Sequence, residues 1–203
     1  MSDPKTLLDM AGATWPKAAL DGAVLVIIDA QREYVEGAVP LFEIDAAVTE
    51  AGKVLALARE HAAPVFHIVH HAPPGSGAFA EGAPLTDIVA SLTPQGNEAV
   101  IAKKLPNAFA GTDLAERIRA TGRSDVVMIG FQTHMCISSS ARAALDLGFR
   151  VTVVEKATTT RALPGVLGGA PLSAKVVHDI ALAELADRFA TIILDSAALA
   201  AAD

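Results

Sequence analysis

The chain has 203 residues, 52% of them hydrophobic and 19% charged, and a net charge of −7. That size and composition fit a single domain, residues 1–203, with a sizeable core, and they exclude a disordered chain. The acidic balance speaks against a nucleic-acid partner, and the longest apolar run, residues 23–28, is far too short to cross a bilayer.

The opening Met1-Ser2-Asp3-Pro4-Lys5 lacks the basic-then-apolar pattern of a secretory signal. One cysteine rules out an internal disulfide and fits a reducing, cytoplasmic compartment. Ala23–Ile28 is a continuous aliphatic run ending at Asp29, which suits a central parallel strand. Residues 44–61 carry Ile44, Ala47, Val48, Ala51, Val54, Leu55 and Ala58 at helical spacing, and Pro64 stops the helix. Residues 65–69 form a second strand. A Pro- and Gly-rich loop covers about 72–97, and a short third strand, 99–102, follows it. Thr112 caps a helix through Thr121, with Asp113 and Glu116 near its positive end. Residues 125–129 read as a strand and 134–147 as a helix closed by Gly148. Strands at 151–154 and 191–194 flank a helix near 173–189. The Ala-rich tail after Asp195 reads as a frayed end. Strands alternating with helices imply a parallel sheet covered on both faces, and such sheets bind ligands beyond the carboxyl ends of their strands.

Chemistry gathers at that edge. Cys136 follows a strand, the short turn Gly130-Phe131-Gln132-Thr133-His134-Met135 and then the start of a helix. A helix N-terminus favours the thiolate, which is the nucleophilic form. The plain alternative is a buried structural cysteine. Asp29 ends the first strand and Lys103 the third. Taken singly, the one is a turn or cap residue and the other a solvated lysine. Together with Cys136 they make an acid–base group, a positive charge and a nucleophile on one edge. Lys103 is expected to lower the thiol pKa and keep Asp29 ionised.

Three ordered segments carry a resemblance. They are Val26-Ile27-Ile28-Asp29-Ala30-Gln31 with Tyr34, then Lys103 through Asn107-Ala108-Phe109 to Gly111-Thr112-Asp113-Leu114, and finally Gly130 to Cys136 continuing to Ala141-Arg142-Ala143-Ala144. Over roughly residues 22–189 the chain resembles the isochorismatase-like cysteine hydrolases, the superfamily of nicotinamidases and N-carbamoylsarcosine amidases. The resemblance implies a three-layer α-β-α fold with a six-stranded, mainly parallel sheet. It implies an Asp29–Lys103–Cys136 triad, with Lys103 chosen over Lys104 by its distance from Phe109. It implies a non-proline cis peptide at Phe131–Gln132, with the backbone N–H groups of Gln132 and Cys136 receiving an oxyanion. The implied reaction is thiolate attack on an amide carbonyl, loss of an amine or ammonia, and hydrolysis of a thioester by water that Asp29 activates. No cofactor is implied, and a homo-oligomer, dimer or tetramer, is.

Two departures narrow the reading. Nicotinamidases carry an Asp-x-His metal motif after the second strand, where this chain has His70-His71-Ala72 without the carboxylate. Adjacent strand residues point to opposite faces, so no metal site is expected. One histidine lines the pocket and the other is solvated or packed, with His71 taken as the substrate-facing one. True isochorismatases need no thiol, so Cys136 favours amide chemistry.

Tyr34, Phe109 and His134 are candidate substrate contacts or core residues. Gln31 either bonds a triad member or pairs backbone groups, and Trp15 and Phe42 are packing residues. Arg161 meets a substrate carboxylate, a neighbouring subunit or solvent. The reading is therefore a cysteine amidohydrolase acting on a small molecule, away from membranes. The alternatives are an ether- or ester-cleaving hydrolase of isochorismatase type, and a redox or binding protein with a reactive thiol.

Overall fold

The computed structural model describes residues 3–13 and 15–201. In chain order it contains α1 (Leu7–Met10), β1 (Ala23–Ile28), α2 (Ile44–Glu60), β2 (Val65–His70), β3 (Ala99–Lys103), α3 (Leu114–Ala120), β4 (Asp125–Phe131), α4 (Ser138–Asp146), β5 (Arg150–Thr159), α5 (Ala174–Arg188), β6 (Ala190–Ile193) and α6 (Ser196–Ala200). The six strands form one sheet in the order β3-β2-β1-β4-β5-β6, and every pairing is parallel.

The sheet splits the core in two. Along β1, Leu25 and Ile27 point to one side, where α2 buries Ala47, Ala51, Val54, Leu55 and Ala58, and Leu199 of α6 joins them. Val24, Val26 and Ile28 point to the other side, against Leu114 and Ile118 of α3, Ala141 and Ala144 of α4, and Leu182 and Leu185 of α5. That is the period-two alternation of a strand covered on both faces, and it makes three layers. All six β1 residues are buried. Each buried Val, Leu or Ile there stabilises the fold by roughly 1.5–3 kcal/mol, so β1 is the structural spine.

Chain connections run outward from β1, first to β2 and β3 and then back across to β4. The order therefore reverses between β1 and β4, and the carboxyl ends of these two strands open the crevice that such folds use for ligands. Gly130 allows the close approach of the two strands there. It has φ +113, and a Cβ on it would stand 2.0 Å from the Ile28 carbonyl oxygen. A register shift follows at once, Met128 pairing with Val153 but Gly130 with Thr158, so β5 bulges between them.

Several elements differ from the sequence reading. The segment 133–137 is a π-helical turn preceding α4, so Cys136 sits within the turn instead of at the start of a regular helix. α3 starts at Leu114 with Asp113 at its N-cap, while the Thr112 hydroxyl donates to the Ala108 carbonyl (2.6 Å). The tail after Asp195 is not frayed over its described part. Asp195 caps α6, accepting from the Ala198 N–H at 3.1 Å, and Leu199 is buried. Phe42 is exposed, not packed. Trp15 is half-buried, with the Arg188 guanidinium 5.6 Å from its ring centre. The long loop keeps two short 3-10 turns, Pro84–Thr86 and Ala90–Leu92.

Candidate active site

Asp29, Lys103 and Cys136 meet at the β1–β4 crevice, each almost wholly withdrawn from solvent (0%, 1% and 5% exposed). Each is placed by local backbone chemistry. Asp29 has φ +51, a conformation that aspartate tolerates better than most side chains. Its N–H bonds Ile68 O (2.8 Å), and its own carbonyl accepts from Gln31 N (2.8 Å), so the chain turns sharply as β1 ends. Lys103 closes β3 on the same face as Ile101, and Ile101 belongs to the core half that contains Cys136. Cys136 rides the π-helical turn after β4, in which both Met135 N and Ile137 N bond Gln132 O. The peptide between Phe131 and Gln132 is cis.

Lys103 is the hub. Its Nζ lies 2.7 Å from Asp29 Oδ2, 3.4 Å from Cys136 Sγ and 3.5 Å from His70 Nδ1. The Asp29 contact is an ion pair in which neither carboxylate oxygen has a donor aligned as a hydrogen bond. Burial raises the Asp29 pKa, and the Lys103 charge opposes that rise without cancelling it. Burial also pushes the Cys136 thiol up to about 12, with the Asp29 charge adding to the rise and Lys103 working against it. Cys136 is therefore a neutral thiol beside a carboxylate. Lys103 lowers the thiol pKa, in the expected direction, and burial outweighs it.

The remaining candidates separate clearly. The Gln31 side chain bonds none of Asp29, Lys103 and Cys136. Fully buried, it donates to the carbonyls of His70 (3.0 Å) and Thr86 (2.8 Å) and accepts from His70 N (2.8 Å), a bracket between β2 and the long loop. Tyr34 does border the site. It is buried, its ring lies 4.9 Å from Phe79 and 6.0 Å from Phe131, and burial followed by the Asp29 charge raises its pKa. Phe109 stacks on Phe149 at 5.8 Å within the core. His134 is tied to the Thr160 hydroxyl through Nδ1 and borders a groove of about 260 Å³ with Leu163, Leu172, Val177 and Ile180.

Of the two adjacent histidines, His70 is the one whose ring meets Lys103. The backbone N–H of His71 bonds Lys103 O (2.9 Å). Burial first, then the Lys103 charge, lowers the His70 pKa to about 4, so the ring is neutral near pH 7. An ammonium only donates, so Nδ1 acts as the acceptor and the ring hydrogen belongs on Nε2. The alternation from Ile68, which faces the Cys136 side of the sheet, already pointed to His70. Phe79 escaped the sequence reading altogether. It sits in the long loop at φ +54, and its ring also lies 5.5 Å from that of His70.

Among the described residues no group of three or more His, Cys, Asp or Glu is arranged to hold a metal ion, and no helix is long and apolar enough to span a membrane. A cavity of about 790 Å³ lies between α2, the end of β5 and α5 and touches none of Asp29, Lys103 and Cys136.

Residues 23–196 match the isochorismatase domain family model. The chain belongs to the isochorismatase family. A secreted isochorismatase effector of Verticillium dahliae is 37% identical over 95% of this chain and 97% of its own length. A maleamate amidohydrolase of Pseudomonas putida is 32% identical over 79% of this chain and 84% of its own. The crystal structure of an isochorismatase from Pseudomonas putida superposes with a TM-score of 0.91 at 35% identity, covering 97% of this chain and all of the other. The isochorismatase-like α/β fold is thus shared over nearly the whole molecule, and the chain is a hydrolase of this family.

Proposed function

We propose that the protein is a cysteine-dependent amidohydrolase that cleaves a small amide or related C–N bond through a thioester. The observation that carries this reading is the buried contact of Lys103 Nζ with both Asp29 Oδ2 (2.7 Å) and Cys136 Sγ (3.4 Å). A thiol as weakly acidic as this one needs its proton removed during attack. Asp29 is a base held at the site, made more basic by burial.

The steps follow. Asp29 takes the Sγ proton as sulfur bonds the carbonyl carbon, and the carbonyl electron pair moves to oxygen. The N–H groups of Gln132 and Cys136 receive that oxyanion. As the tetrahedral adduct collapses, protonated Asp29 gives its proton to the departing nitrogen, and ammonia or an amine leaves. Asp29 then takes a proton from water as the water oxygen attacks the thioester. The acid is released, and the proton returns to sulfur. Throughout, Lys103 stabilises negative charge on the carboxylate and on the developing thiolate.

The maleamate amidohydrolase among the relatives supports amide chemistry over cleavage of an ether or ester. A thiol that serves only as a redox sensor needs no carboxylate base beside it, and Asp29 is such a base. The test is a panel of small primary amides assayed for ammonia. Sustained release of many equivalents per chain supports the proposal, and a single stoichiometric burst, or none, contradicts it.

A further inference from the structure

We propose that His178 is a positioning residue that holds, through Thr133, the turn whose backbone N–H groups receive the oxyanion. The inference rests on the reading of Gln132 and Cys136 as those donors and concerns what keeps them aimed.

The turn needs an anchor from outside. Residues Thr133–Ile137 form a π-helical turn, and Gln132 O accepts from both Met135 N (3.0 Å) and Ile137 N (3.2 Å). One carbonyl shared by two donors departs from the one-to-one ladder of an α-helix. Backbone bonding alone therefore fixes this turn less firmly than a regular helix start. Thr133 opens the turn directly after Gln132, and it is wholly buried. Its hydroxyl bonds His178 Nδ1 at 2.9 Å. Losing that bond would leave a buried hydroxyl unsatisfied. The bond thus fixes the Thr133 side chain and, through it, the backbone between Gln132 and Cys136.

His178 is itself firmly held. It lies on α5, where the Ser173 hydroxyl accepts from Val176 N (3.3 Å) and where Val177, Ala181, Leu182 and Leu185 are buried. Leu182 and Leu185 share a core half with Cys136 and Ile137. The other flank of the turn is tied as well, because His134 Nδ1 meets the hydroxyl of Thr160, just past β5. A threonine of the turn bonded to a histidine of α5, and a histidine of the turn bonded to a threonine after β5, clamp it from two elements.

The influence of His178 on the reaction is geometric. Its ring bonds Thr133 and not Asp29, Lys103 or Cys136. Burial lowers its pKa, so the ring is neutral near pH 7 and adds no charge. Misplacing reacting groups by about 1 Å can cost on the order of 10²-fold in rate.

The test compares the wild type with His178→Leu, Thr133→Val and His178→Asn, each checked for native circular dichroism. Thr133→Val carries the comparison alone if His178→Leu does not fold. His178→Asn puts a carboxamide near the place of Nδ1, able to serve the Thr133 hydroxyl as acceptor or donor. Two reactions of Cys136 are timed. Acylation by p-nitrophenyl acetate builds an oxyanion, and alkylation by iodoacetamide builds none. His178→Leu and Thr133→Val should slow acylation roughly tenfold or more while alkylation stays within about threefold. His178→Asn should restore most of the acylation rate. The double variant should be no slower than the slower single one, since both remove the same bond. The amide panel is run alongside. The split between acylation and alkylation without ammonia release from any amide would keep the positioning role and remove the amidase reading. Ammonia release without the split would do the reverse. Equal slowing of both reactions, failure of His178→Asn to rescue, or a wild type that p-nitrophenyl acetate does not acylate at Cys136 overturns the proposal.

Discussion

The Asp29 carboxylate and the Lys103 ammonium meet at 2.7 Å with both side chains wholly shielded from water. Removing one partner of such a pair leaves an uncompensated buried charge, at a cost on the order of 3–5 kcal/mol. The pair therefore ties two strand ends together and sets the electrostatics of the thiol beside it.

Lys103→Ala should slow turnover on the order of 10²-fold or more and lower stability. Because Lys103 opposes the rise in the Cys136 pKa, the iodoacetamide-labelling profile of Cys136 should move to higher pH. Lys104 is exposed, so Lys104→Ala should leave both rate and profile nearly unchanged. A shift caused by Lys104→Ala instead would show that the wrong lysine has been assigned.

Asp29→Asn should act in the opposite sense on the thiol. The Asp29 charge adds to the Cys136 pKa, so its removal should move labelling to lower pH while hydrolysis falls on the order of 10²-fold or more. More thiolate with less catalysis is the signature of a lost base. In the wild type the acid limb of the rate should lie above 3.8, the ordinary aspartate value, because burial raises the Asp29 pKa. An unchanged labelling profile in Asp29→Asn would remove Asp29 from the site's electrostatics.

Much of this was legible in the sequence, and the residues show why. Ala23–Ile28 is uniformly aliphatic because both faces of β1 are covered, and a fully buried strand leaves that mark. Asp29, Lys103 and Cys136 stand at strand ends or just past them, where a parallel sheet gathers side chains from distant parts of the chain. Tertiary effects were not legible. Burial outweighs the effect of Lys103 on the thiol, and it depends on how tightly the crevice closes. The alternation that Ile68 sets turns His70, and not His71, toward Lys103. Gln31 was ambiguous because only the folded chain brings the carbonyls of His70 and Thr86 together around it. Phe79 was invisible because an irregular loop has no period to read.

A second buried cluster makes a stability prediction. Arg59 grips Glu98 with two bonds of 2.7 and 2.8 Å, and His67 Nε2 lies 3.0 Å from the same carboxylate, tying α2 and β2 to the approach to β3. The Arg59 hydrogen bonds hold the Glu98 pKa down to about 2, against an ordinary 4.5. A depressed folded-state pKa contributes stability that is full above 4.5 and is lost as pH falls toward 2. Allowing for partial solvent screening, Glu98→Gln should destabilise the protein by roughly 1–2 kcal/mol near pH 7. It should also flatten the acid limb of a urea-denaturation series across that window. A variant with the wild-type pH dependence would contradict the assignment.

Hydrolysis should survive exhaustive chelation, because the proposed chemistry uses only Asp29, Lys103, Cys136 and backbone N–H groups. Activity lost on chelation and restored by zinc or iron would require a different mechanism.

The central claim is that Cys136 is the nucleophile, and ammonia release by Cys136→Ala on the best amide of the panel tests it most directly. The substitution removes one sulfur atom from a buried turn, and the fold should persist by circular dichroism. The account predicts turnover at or near the uncatalysed background. A folded Cys136→Ala that kept more than roughly a few per cent of wild-type turnover, far above what loss of a covalent nucleophile allows, would contradict it.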